Sequence, residues 1–358
     1  MLEHVSVLGV RNLARVDVDL SEGATALFGA NGSGKTSFLE AIHLLGTGRS
    51  FRARHAKSII QHSHATCRVV GKIRRGARSQ FVGVEKDRDA GLRARIGGEN
   101  VSSMSELAQA LPIVLLDTDS ISLLTGAPEG RRRLLDGTLF HVEQGFLALW
   151  RRYIQAVRQR NGGLRHGILD ADSAWRRQLA EAGELLTAYR AQMAEQLSDR
   201  LAVLAASLSG DLADVSVQFR RGWDRSLDLA EALERSGQRD AAQGFTQVGP
   251  HRADLRVMVG DMLAADILSR GQMKLLLVAL KLVQGRLIEE SGPTRPLYLV
   301  DDLPAELDAA HCASVCKELG VNRQVVLTAV DRAALETAWQ VGPLSLFHVE
   351  HGRVAPHH

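Results

Sequence analysis

Residues Gly29-Ala30-Asn31-Gly32-Ser33-Gly34-Lys35-Thr36 constrain this chain more than any other stretch. Glycine, four residues, glycine, lysine and threonine, set after an apolar run (Ala24 to Phe28) and before a helical pattern at about 35–47, is the phosphate-loop arrangement. Its glycines let successive backbone N–H groups turn inward around phosphates, and the helix N-terminus adds positive dipole. Lys35 is then expected on the β and γ oxygens of ATP, and Thr36 on Mg²⁺. Such a loop needs a buried strand on one side and a helix on the other, so an α/β core is implied.

Phosphate loops serve kinases, GTPases, helicases and ABC-type ATPases alike, so a second acidic site has to discriminate. Leu297-Tyr298-Leu299-Val300-Asp301-Asp302 is an apolar strand ending in two acids. The first, Asp301, suits Mg²⁺ and the second, Asp302, suits activation of the attacking water. About thirty residues earlier, Leu268-Ser269-Arg270-Gly271-Gln272 opens a helical apolar run and resembles the ABC ATPase signature, with Arg270 in place of a glycine. A serine hydroxyl, a glycine N–H and a helix start make a second anion site, which reaches the same nucleotide only from another copy of the chain. Ala305-Glu306-Leu307-Asp308 resembles the D-loop of that class, and Thr328 follows the strand Val325 to Leu327 at the switch position.

Around this frame the order of signals sets the expected organisation. Strand patterns dominate residues 1–118 (near 5–20, 66–74, 79–85, 92–97 and 113–116), giving an N-terminal ATPase lobe with a β-subdomain. Helical periodicity fills 119–240, the second lobe, with a long segment from Ala174 to Leu208 and one strand-like interruption at 215–219. Strand and helix alternate again over 241–358, so the parallel core is expected to form from both chain ends.

Arg11-Asn12, Gly48-Arg49-Ser50-Phe51-Arg52, Arg131-Arg132-Arg133-Leu134-Leu135-Asp136, Gln159-Arg160-Asn161 and Gly249-Pro250-His251-Arg252-Ala253-Asp254-Leu255 occur in this order with the sites above. The set resembles the RecF family of bacterial recombinational-repair ATPases from residue 2 to about 352. The resemblance implies a Rad50-like ABC-type head with an inserted helical lobe, dimerisation on ATP, and slow hydrolysis. It also implies DNA binding and action with RecR and RecO in loading RecA at gaps, within the SOS response and replication restart. It adds Arg11 and Asn12 to the nucleotide-binding set, and Leu268 to Gln272, Glu306 and Asp308 to the dimer contacts. Val10 and Ala305 stand where the family more often has Phe and Ser. The alternatives are the ATPase subunit of an ABC transporter, disfavoured by Arg270, Thr328 and the large helical lobe, and another SMC-like chromosome-maintenance ATPase.

Net charge is only +3, so a nucleic-acid partner has to be sought in local patches. Arg49, Arg52, Arg54 and Lys57 form one candidate, and Arg151, Arg152, Arg158 and Arg160 another. With aromatics at 4%, a stacking platform for single strands is poorly supplied, which favours duplex-backbone binding, while gapped and single-strand/double-strand junction DNA is what the resemblance implies. No apolar run of membrane-spanning length and no secretion signal is visible, and Cys67, Cys312 and Cys316 suit a reducing compartment, so the cytoplasm is expected. His311, Cys312 and Cys316 share helical spacing but signal no fourth zinc ligand.

Overall fold

The computed structural model describes residues 1–52, 56–89, 91–117, 121–168 and 172–357. Its contacts divide the chain into two units, Met1–Ser120 with Leu277–His358, and Ile121–Leu276.

The first unit carries two sheets. One is antiparallel, ordered β2-β1-β4-β5-β6-β7, and comprises β1 (Leu2–Val10), β2 (Leu13–Asp19), β4 (Thr66–Arg75), β5 (Arg78–Asp87), β6 (Gly91–Ile96) and β7 (Glu99–Asn100). Period-2 alternation explains it: Val5, Val7, Val16, Val18, Val69, Ile73, Val82 and Val84 are buried while their neighbours face out. The other sheet is ordered β15-β14-β3-β13-β12-β8, with β3 (Ala24–Phe28), β8 (Ile113–Leu116), β12 (Leu297–Val300), β13 (Gln324–Ala329), β14 (Leu344–Glu350) and β15 (Arg353–His357). The four central strands β14, β3, β13 and β12 run parallel, β8 joins them in parallel, and β15 closes the edge antiparallel to β14. Every residue of β12 and β13 is buried, as expected of parallel strands covered on both faces. Helices α1 (Lys35–Thr47), α2 (Met104–Ala110), α10 (Leu303–Glu306), α11 (Ala309–Leu319) and α12 (Arg332–Ala338) belong to this unit, as does α9 (Arg270–Ser291) from Leu277 on.

The second unit is built on α3 (Ser122–Thr125), α4 (Pro128–Val142), α5 (Phe146–Arg165), α6 (Asp172–Leu208), α7 (Leu229–Gln243) and α8 (Ala264–Ile267), with a sheet of β9 (Val215–Arg220), β10 (Asp254–Val259) and β11 (Met262–Leu263). Along α6, Leu179, Ala182, Leu186, Met193, Leu197, Leu201, Leu204 and Leu208 are buried at helical spacing.

Two expectations need correction. The boundary expected at 240/241 falls at 276/277, because β10 finds its backbone partners in β9, from Asp254 opposite Arg220 to Val259 opposite Val215. Strand β8, expected to close the N-terminal β region, pairs instead with β12, Leu116 opposite Val300.

Candidate nucleotide site and its supports

Strand β3 ends at Phe28 and α1 begins at Lys35, so the phosphate loop spans the gap between a buried strand and a helix N-terminus. Gly29, Gly32 and Gly34 have φ of +153°, +78° and +126°. Gly29 is also a packing requirement, since a Cβ there would stand 2.2 Å from the Val349 carbonyl oxygen. Lys35 is buried and folds back on the loop, its Nζ donating to the carbonyls of Gly29 (2.6 Å) and Ala30 (3.0 Å). Burial lowers its pKa, opposed by the negative charges of Asp302 and Asp301.

The two acids arrive from β12 and are tied to the loop by hydroxyls. Thr36 Oγ1 donates to Asp301 Oδ1 at 3.0 Å, and Thr328 Oγ1, at the end of β13, donates to the same oxygen at 2.8 Å. The Thr328 oxygen also accepts the Asp302 backbone N–H at 3.0 Å. Asp302 has φ +49°, a conformation Asp tolerates better than most residues. Burial raises its carboxyl pKa, Lys35 opposes the rise and Asp301 adds to it. Thr328, expected at the switch position, is 0% exposed. Its hydroxyl ties the Asp301 carboxylate to the Asp302 backbone.

This arrangement fits a triphosphate with a divalent cation. Positive-φ glycines turn the loop backbone inward, and the Ser33 hydroxyl is buried in the loop without a partner. Two of the three ammonium donors of Lys35 rest on carbonyls that an anion would replace. Among the described residues no cluster of three His, Cys, Asp or Glu is assembled for a metal. Thr36 and Asp301 offer the sparse oxygen set that magnesium uses together with substrate phosphates.

Arg11 and Asn12 support the loop in different ways. The Asn12 side chain donates to Gly32 O at 3.0 Å and accepts from Ser37 Oγ at 2.9 Å, clamping the loop to α1. Arg11 is not aimed at the loop: its guanidinium grips the fully buried Glu40 carboxylate at 2.8 and 3.0 Å and donates to Ser58 O. The hydrogen bond to Glu40 raises its pKa. Ser50 donates to Glu40 as well, so the Arg11-Asn12 and Gly48-to-Arg52 motifs converge on one buried acid that the sequence reading passed over. The turn between β14 and β15 completes the support: Gly352 N–H donates to Ser33 O at 2.8 Å, and a Cβ on Gly352 would lie 2.1 Å from Asn12 O.

The signature segment lies in the second unit. Leu268 and Ser269 precede α9, whose first residue is Arg270, and the Ser269 hydroxyl accepts from the Gln272 N–H at 3.3 Å. Gln272 returns Oε1 to the Ser269 N–H at 2.9 Å, a reciprocal cap, and donates Nε2 to Asp211 at 3.0 Å. Apart from its chain neighbours and the backbone of its own helix, no described atom lies within 4 Å of where a Gly271 Cβ would stand. In the D-loop, Glu306 ends α10, and Asp308 caps α11 by accepting the His311 N–H at 2.9 Å while pairing with the His311 ring at 2.6 Å.

The basic candidates separate. Arg49 and Arg52 are exposed, whereas Arg54 and the side chain of Lys57 lie outside the described residues. Arg151 and Arg158 are exposed, and Arg152 pairs with Glu181 at 3.1 Å. Arg160 is a correction: it is 0% exposed, bonded to Asp172 and Asp240 at 2.7 Å each and to Thr246 at 3.0 Å. The remaining motifs knit the same unit. Arg131 grips Asp254 bidentately, Arg132 donates to Ala253 O, and Arg190 joins Asp136 to Pro250 O. His251 Nδ1 meets the Tyr153 hydroxyl at 2.7 Å while its Nε2 meets Thr246 O.

Comparison with known proteins agrees with this frame. The family model described as RecF/RecN/SMC N terminal domain matches residues 1–354. A protein of Stutzerimonas stutzeri (strain A1501) named DNA replication and repair protein RecF is 45% identical, covering 100% of this chain and 98% of its own. A protein of the same name from Pseudomonas fluorescens (strain Pf0-1) is 44% identical, with the same coverage. Among solved structures, the recombination mediator protein RecF with ATP in the RecFOR pathway matches with TM-score 0.87 at 22% identity, over 100% of this chain and 97% of that one. An Smc head bound to the C-winged helix domain of ScpA matches with TM-score 0.60 at 15% identity, over 99% and 96%. The fold is that of the Rad50- and SMC-like ATPase heads. None of the described helices is long and apolar enough to cross a membrane.

Proposed function

The chain belongs to the RecF family, and from that premise we propose that it is a DNA-binding ATPase of replication and repair whose two copies associate on ATP. The observation that carries this reading is the hydroxyl joint of Thr36, Asp301 and Thr328 beside Lys35, which unites the phosphate loop with the second acidic site. In it Lys35 and the loop N–H groups of residues 29–36 bind the β and γ phosphates. Thr36 and Asp301 would hold Mg²⁺, which supplies neutralisation of phosphate charge. Asp302, with its raised pKa, orients the attacking water and accepts its proton. Arg11 and Asn12 act as supports of the loop.

A buried lysine and two acids complete one side of a γ-phosphate, and the signature would complete the other side in a second copy. Ser269 has a lone pair beyond its cap, the Arg270 and Gly271 N–H groups have no intrahelical acceptor, and Gly271 keeps room for an approaching group. ATP binding is thereby coupled to association, and hydrolysis, slow in this reading, ends it. The dimer would bind duplex DNA and the single-strand/double-strand junctions at gaps, working in the cytoplasm with RecR and RecO towards RecA loading. The relatives' names support the role in replication and repair, and the solved RecF of the RecFOR pathway supports RecR and RecO as partners.

Sedimentation velocity of the Asp302→Asn protein with Mg-ATP tests it. Dimers are expected, and Ser269→Arg in the same background should return monomers that still bind a fluorescent ATP analogue. An Asp302→Asn protein that stays monomeric when saturated with ATP would refute the reading.

A further inference from the structure

The antiparallel sheet of the first unit has one face on the core and one facing out, and the outward face has so far no assigned role. Register places Glu85 opposite both Arg68 and Arg93, and Gly83 opposite both Val70 and Arg95. The buried residues Val69, Val82, Val84 and Ala94 alternate with these, so Arg68, Arg93 and Arg95 stand together on the outer side, around an open groove floored by Val70 and Gly83. A Cβ on Gly83 would meet only Val70, at 3.7 Å, so the floor is low and smooth.

Three guanidiniums here face one carboxylate. Arg68, 57% exposed, is paired with Glu85 at 2.6 Å. Arg95 is exposed and donates Nε to the neutral Asn100 side chain at 3.0 Å, which leaves its charge uncompensated. Arg93 is exposed, and its side chain makes no ion pair or hydrogen bond with any described residue. Same-face residues of one strand stand about 6.8 Å apart, so Arg93 and Arg95 present a short linear array of forked donors. Such an array on a flat surface suits a repeating anionic backbone. Phe81, 58% exposed and two residues before Gly83 on β5, is the one aromatic side chain of β4, β5 and β6, and a single ring is too few to stack a run of unpaired bases.

We propose that this outer face, through Arg93 and Arg95 with Arg68 beside them, holds the sugar–phosphate backbone of duplex DNA. The proposal rests on the DNA-binding reading above and names residues other than the Arg49/Arg52 and Arg151/Arg158 candidates. It reads charge and not sequence, because nothing on the face is shaped to enter a groove and contact base edges.

The test is a salt titration of binding to a fluorescein-labelled duplex, followed by anisotropy with a non-hydrolysable ATP analogue present. For Arg93→Ala/Arg95→Ala the slope of log affinity against log salt concentration should fall by about 2, since each phosphate contact contributes about 0.9. Arg93→Lys/Arg95→Lys should recover most of the slope, and binding of the fluorescent ATP analogue should be equal in all three proteins. Wild-type duplex binding with an unchanged slope in the alanine variant overturns this placement and leaves the DNA-binding reading standing. Absence of duplex binding by the wild type overturns both.

Discussion

A guanidinium is satisfied by a phosphate oxygen and by a buried carboxylate alike, and the sequence records neither partner. Arg160 shows the consequence: it sits in a motif rich in arginine, yet it is sealed among Asp240, Asp172 and Thr246. Removing one member of a buried pair leaves the other charge unpaired, so Arg160→Ala should cost about 3–5 kcal/mol. Urea denaturation would measure it, and a loss near zero would return Arg160 to the surface. That Lys35, Thr36, Asp301 and Asp302 come together was legible because short spacings after apolar strands place them at strand ends. Glu40 was not, since one acid in a helix looks like any other until Arg11 and Ser50 are seen to reach it. Thr328 was expected at the switch position, and its hydroxyl bonds both acids. Thr328→Val keeps the shape and deletes a hydroxyl that both donates and accepts, leaving the Asp302 N–H unpaired. It should cost about 1–3 kcal/mol and reduce ATP turnover far more than ATP affinity. Equal losses in both, read by phosphate release and by nucleotide titration, would mean that it merely supports the fold.

At the level of elements, local signals with a physical mechanism survived and those needing a distant partner did not. The strand, glycine loop and helix from Ala24 to Thr47 are a local unit, and so is the start of α9 after Ser269. Strand β8 has the right composition but takes its place from β12, far along the chain, and β15 exists because β14 offers it an edge. Helix α2 carried a readable signal that went unread, the Ser103 and Glu106 capping box. The cap at Ser269 gives a way to separate the helix from its proposed role in the second copy. Ser269→Asp retains a good cap, whereas Ser269→Ala should destabilise by about 1 kcal/mol. Both should impair ATP-dependent association, Asp the more, because it places negative charge against a triphosphate. An aspartate variant that dimerises like the wild type would confine Ser269 to capping. The β14–β15 turn offers another element-scale test. Gly352→Ala drives a methyl into the Asn12 carbonyl, so ATP affinity should drop at least tenfold even though residue 352 touches no phosphate in the proposed site. Unchanged affinity by nucleotide titration would mean that the turn yields without moving the loop.

For the chain as a whole, the closing of one parallel sheet from residues 24–28, 113–116 and 297–350 was legible as strand, helix and strand signals at both ends. The extent of the inserted unit was not, because β10 looks like any strand until β9 is seen to pair with it. A property of the same scale follows from three histidines spread over both units. His43, His141 and His251 each have their pKa lowered to about 4, in every case chiefly by burial. In His251 the Thr246 carbonyl opposes the shift, and Arg252 and Arg132 reinforce it. The native chain therefore refuses protons that the unfolded chain accepts below about pH 6.5, the ordinary histidine value. Their contribution to stability is complete above that pH and is lost as the pH falls towards 4. At pH 5 the three sites together favour uptake of almost three protons on unfolding, a slope of about 3–4 kcal/mol per pH unit while that difference holds. Thermal unfolding followed from pH 7 to pH 5 should show the decline before most carboxylates titrate. His251→Gln should flatten it by about a third, since one of the three proton acceptors is then gone. A melting temperature independent of pH over that interval would mean that these rings are open to water and protonate in the native state.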